Sequence, residues 1–135
     1  MRRVLAAAGS ATLFVAGIAS IPFASQRVAQ TSTVMVHCPN GNAAAFVTPP
    51  QITIAVGDTI EWRMTGRVTS DLLIISLKDP EQAWPFAGPV PKGTTGARTG
   101  SARAKGTYGY NVHLQCRLPG GGTESVTIDP DIIIE

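Results

Sequence analysis

From residue 105 to 116 the chain reads KGTYGYNVHLQC. Successive side chains of a strand point to opposite faces, so Tyr108, Tyr110, Val112, Leu114 and Cys116 share one face. A helix would scatter those five residues around its circumference. Shorter runs of the same kind precede and follow it. Residues 33–38 place Val34, Val36 and Cys38 on one side and Met35 and His37 on the other. Residues 51–56 (QITIAV) alternate before a Gly57-Asp58 turn, and residues 60–64 return with Ile60, Trp62 and Met64 on one face. Residues 71–77 (DLLIISL) form a continuous apolar run, the pattern of a strand covered on both sides. After a turn at residues 119–122, a strand over 123–128 is expected, then a bend at Asp129-Pro130-Asp131 and a closing strand over 132–134. Residues 80–99, rich in Pro, Gly and Thr, read as a long surface excursion. No segment after residue 30 carries a helical period with caps, so an all-β sandwich or barrel of about seven strands is expected.

The N-terminus is of another kind. Residues 4–23, VLAAAGSATLFVAGIASIPF, contain no charge over 20 positions. At ~1.5 Å per residue, a helix of that length covers roughly the 30 Å of a bilayer core. Val4, Leu5, Leu13, Phe14, Val15, Ile18, Ile21 and Phe23 would be its membrane-anchoring residues. Gly17-Ile18-Ala19 would serve as a cleavage site, which leaves a removable export signal as the alternative to an uncleaved anchor. Either way Arg2 and Arg3 hold the N-terminus in the cytoplasm and the rest lies in the periplasm or another extracytoplasmic space. The chain thus divides into a membrane anchor or signal segment at 1–30 and one domain at 31–135. Of 11 basic residues, Arg2, Arg3 and Arg27 fall in the first segment, leaving 8 against 9 acidic ones. The domain is near neutral, and nucleic acid is excluded as a partner.

Cys38 and Cys116 both occupy inward positions of their strands in an exported, oxidising setting, which predicts a disulfide; two buried thiols are the alternative. A four-ligand metal site from His37, Cys38, His113 and Cys116 fails on parity. Each histidine lies an odd number of residues from its cysteine and points to the opposite face.

Two stretches resemble the cupredoxins, the small Greek-key sandwiches of plastocyanin and azurin type. One is Ile52-Thr53-Ile54-Ala55-Val56-Gly57-Asp58-Thr59-Ile60-Glu61-Trp62, followed by Thr65-Gly66. The other is Gly106-Thr107-Tyr108-Gly109-Tyr110-Asn111-Val112, similar to the strand that delivers the copper thiolate in that family. The resemblance implies a Greek-key β-sandwich over most of residues 33–134. Its copper ligands do not carry over. Val112 stands where the family has its cysteine and Gln115 where its second histidine falls. Ser70 or Asp71 stands near the first histidine, and 118–122 (LPGGG) replaces the downstream methionine. A type 1 centre needs two imidazoles and a thiolate, so no metal and no cofactor are expected.

Trp84-Pro85-Phe86 sits in the irregular 80–99 stretch, where it marks a partner contact or folds over an open end of the sandwich. His37 and His113 are expected exposed or at a contact surface. Asp129 and Asp131 flank a proline and read as turn residues rather than an acid–base pair. No arrangement of nucleophile, base and phosphate loop points to an enzyme.

The leading expectation is a non-catalytic accessory subunit. Its helix packs among other helices of a membrane protein complex, and its domain caps the outer face, in an assembly of respiratory or photosynthetic kind by analogy. An electron-transfer copper protein with a rearranged site and a secreted partner-binding module are the alternatives.

Overall fold

A computed structural model describes residues 25–65 and 70–135. The anchor or signal predicted over 4–23 lies outside the described residues. Among those described, no helix is long and apolar enough to cross a membrane.

The described chain is all-β. Its strands are β1 (Thr31–His37), β2 (Phe46–Thr48), β3 (Gln51–Ile54), β4 (Thr59–Thr65), β5 (Ser70–Leu77), β6 (Lys92–Gly93), β7 (Gly96–Arg98), β8 (Gly106–Arg117), β9 (Thr123–Ile128) and β10 (Asp131–Ile134). One sheet has the order β2-β1-β4-β7, with β1 and β4 parallel. The other has the order β3-β10-β8-β5-β6, with β3 and β10 parallel. β9 also pairs with β8, so β9 and β10 follow one another along the same side of that long strand, bent at Pro130. Ten strands therefore replace the expected seven. The additions β2, β6 and β7 are two or three residues long, held by their neighbours rather than by any period of their own.

The inward faces are those the alternation implies. Val34 and Val36 of β1, Ile60 and Trp62 of β4, Leu73 and Ile75 of β5, Tyr110 and Val112 of β8 and Ile132 of β10 are fully buried. Burying each such side chain is worth ~1.5–3 kcal/mol, so this layer supplies most of the driving force for folding. β5 departs from expectation. It is not covered on both sides, because Leu72 on its outer face is 39% exposed.

The 80–99 stretch is not a free surface excursion either. Thr99 accepts from the Ile60 amide through Oγ1 and donates its own amide to the Ile60 carbonyl, both at 2.9 Å, tying β7 to β4. The chain crosses from β6 in one sheet to β7 in the other through Thr94 and Thr95 alone. That crossing brings backbone against backbone. A Cβ on Gly93 would lie 1.9 Å from the Gly96 carbonyl oxygen, so only glycine fits there.

Candidate functional site

The strand that the resemblance assigns to copper is here a packing element. Val112 is fully buried between its strand neighbours Ile75 and Ile128, with its isopropyl group in the core. Gln115, three residues on, has outward parity and pairs with Leu72 and Ser125. Leu118 is 40% exposed at the β8–β9 hairpin tip, and Ser70 opens β5 opposite Cys116. These residues do not fit a type 1 copper ion, which needs a thiolate and two imidazoles converging from one end of the sandwich. Among the described residues no three His, Cys, Asp or Glu side chains are gathered where they would hold a metal ion.

The two cysteines form the predicted disulfide. Cys38, just past β1, joins Cys116 near the end of β8 with an S–S distance of 1.98 Å and Cα atoms 5.8 Å apart. Both residues are buried, so the bond staples one sheet to the other from inside.

The histidines lie on the outer faces of different sheets, as their parity requires. His37 stacks on Phe46 with ring centroids 4.1 Å apart and hydrogen-bonds Thr65 Oγ1. The His113 imidazole is held between two hydroxyls, with Ser76 Oγ 2.9 Å from Nε2 and Thr127 Oγ1 3.0 Å from Nδ1. Both ring nitrogens of His113 are thus engaged within its own sheet.

Trp84-Pro85-Phe86 takes the second of the two readings open to it. Pro85 is fully buried, Phe86 is 4% exposed, and the half-buried Trp84 leans on Phe86 at 5.1 Å. The Arg103 amide donates to the Pro85 carbonyl at 2.7 Å, and the Ala87 amide to the Ser101 carbonyl at 2.8 Å, fastening the loop down. Pro85 and Phe86 are core residues rather than exposed ones. The Trp84 indole nitrogen is buried and has no hydrogen-bond partner among the described residues. Asp129, read as a turn residue, makes a 3.7 Å ion pair with exposed Lys78.

One pairing has no counterpart in the sequence reading, which placed Arg27 in the leader. The Arg27 guanidinium donates to both carboxylate oxygens of Asp58 at 2.9 Å, across 31 residues of sequence. Asp58 is almost wholly buried and also accepts from the Gln30 amide at 2.9 Å and the Ala55 amide at 3.1 Å. The hydrogen-bonded guanidinium, followed by the Gln30 amide, holds this carboxyl well below the usual carboxylate range despite its burial. The segment before β1 therefore belongs to the folded domain from Arg27 onward.

No protein-family model and no curated protein matches the chain. Among solved structures it is similar to a purple cupredoxin from Nitrosopumilus maritimus, at 20% identity and a TM-score of 0.43, covering 75% of this chain and 98% of that one. It is also similar to amicyanin from Paracoccus versutus, at 18% identity and a TM-score of 0.41, covering 76% of this chain and 81% of that one.

Proposed function

We propose that this protein is a non-catalytic, extracytoplasmic docking subunit. It uses a cupredoxin-like sandwich as a rigid scaffold, held at a membrane by the apolar segment at 4–23 and bound to a larger membrane assembly. The single observation that supports this most is Val112. The position that the resemblance gives to a copper thiolate carries a buried hydrocarbon side chain packed against Ile75 and Ile128. A domain without ligand chemistry there acts through its surfaces. The Arg27–Asp58 pair suits the same role, because it fixes the chain leading in from the membrane side to the turn before β4. The outer faces around His37 and His113 are the contact surfaces this reading assigns. The test is affinity purification of the full chain from membranes in mild detergent. A constant set of integral membrane proteins is expected to come with it. Isolation of the chain alone from every extract would refute the reading.

A further inference from the structure

The chain crosses between the sheets at both sides of the sandwich. On one side the β6–β7 crossing joins them, and on the other Pro49-Pro50 carries the chain from β2 to β3. There β3 runs parallel to β10 from the Gln51–Asp131 pair onward. Continued backwards, the line of β3 would lie beside β9. Pro49 and Pro50 instead turn the chain into β2 of the opposite sheet, with the Pro50 carbonyl taking the Asp131 amide at 3.0 Å. The outer edge of β9 is left without a neighbour among the described residues.

That edge differs from the others. β2, β3, β6 and β7 are edge strands of two to four residues, and Pro50, Lys92 or Arg98 flanks or occupies three of them. Such short, charged or proline-marked edges resist pairing with another chain. β9 is longer than any of these, with six residues, Thr-Glu-Ser-Val-Thr-Ile, a single charge at Glu124, no proline and no register break against β8. The Leu118 amide bonds the Gly122 carbonyl at 3.0 Å, and the Tyr110 amide bonds the Pro130 carbonyl at 3.0 Å. With that register, the even-numbered residues of β9 exchange backbone bonds with β8. The amides and carbonyls of Thr123, Ser125 and Thr127 point outward. Val126 and Ile128 face the core but are only partly buried there.

We infer that β9 is the seam of a two-fold dimer, pairing antiparallel with β9 of a second copy of this chain. The edge is complementary to itself. A ladder with the two-fold axis at Ser125 sets Thr123 opposite Thr127 of the second copy and Glu124 opposite its Val126. The one charge on the strand never meets its like, and hydroxyl-bearing residues face one another. The copies do not repel as wholes. Eleven basic residues less Arg2 and Arg3 leave nine, against nine acidic ones. This inference goes beyond the docking role and stands apart from it, because co-purifying proteins bear on docking alone.

The test uses the full chain in mild detergent. Sedimentation velocity, corrected for bound detergent, is expected to give the mass of two chains. On mild oxidation Ser125→Cys is expected to cross-link into a covalent dimer while Thr123→Cys does not, since only position 125 meets itself on the axis. Ser125→Pro removes an outward amide alone, and is expected to halve the mass with the circular dichroism spectrum unchanged. The mass of one chain at the highest concentration reached, with no cross-link at 125, would overturn the inference. So would a two-chain mass that Ser125→Pro leaves intact, or a β9 edge protected from amide exchange only when another protein is bound.

Discussion

Trp62 of one sheet and Tyr110 of the other meet across the core. The indole Nε1 donates to the phenol oxygen at 3.2 Å, and the rings cross edge to face at 5.7 Å. Both side chains are fully buried, so neither polar atom has water to fall back on. Tyr110→Phe leaves the indole N–H unpaired and is expected to cost about 1–3 kcal/mol in denaturant unfolding. Trp62→Phe should cost more, because it also opens a cavity.

The same phenol sets an alkaline limit. Burial, with a smaller contribution from Asp131, pushes the Tyr110 pKa from 10.0 up to about 12, against the opposing Trp62 bond. A pKa raised on folding means stability fully present below pH 10 and lost as pH climbs to about 12. Thermal unfolding in that window should fall more steeply for the native chain than for Tyr110→Phe. Equal slopes would contradict the burial of this group.

Asp58 predicts the acidic limit. Its carboxyl pKa is depressed on folding, so its contribution is present above the unfolded value of 3.8 and fades as pH drops further. Asp58→Ala strips a partner from the Gln30 and Ala55 amides as well as from Arg27, and is expected to cost about 1–3 kcal/mol at neutral pH. Arg27→Ala should cost less, since Arg27 is half exposed and both amide bonds remain. Unfolding midpoints of the two variants across pH 3–7 would settle the order, the Asp58→Ala curve being flat where the native one bends.

The Cys38–Cys116 bond closes a loop of 78 residues. On the chain-entropy account it is worth about 3–4 kcal/mol. Cys38→Ala with Cys116→Ala is expected to unfold at lower denaturant by that amount while keeping its sheet spectrum. An unchanged midpoint would show that the unfolded chain is not constrained by the bond.

The long strands were legible because period two survives wherever a strand is long enough to repeat it. β8 and β1 show on their inward faces the residues that alternation selects, and the parity of Cys38 and Cys116 was enough to anticipate their bond. β2, β6 and β7 escaped, because two or three residues carry no period and their existence depends on the strand beside them. The apolar run of β5 misled for a different reason: hydrophobic residues such as Leu72 can also stand on an outer face. Pro85 and Phe86 stayed open between a contact site and a cover for the sandwich end, because nothing close in sequence covers them; residues 101–103 do. The Arg27–Asp58 pair joins positions 31 apart, and no local pattern announces a contact of that range. At the candidate site, the departure of Val112 from the ligand pattern was visible in the sequence, while its packing partners were not.

The central claim is that β8 presents hydrocarbon where copper chemistry would need sulfur. The most direct measurement is the visible spectrum of the oxidised native full chain during stepwise addition of Cu(II), followed by metal analysis after desalting. The account predicts no intense thiolate-to-copper band and no copper retained at stoichiometry. A strong visible band with one copper held per chain would contradict it.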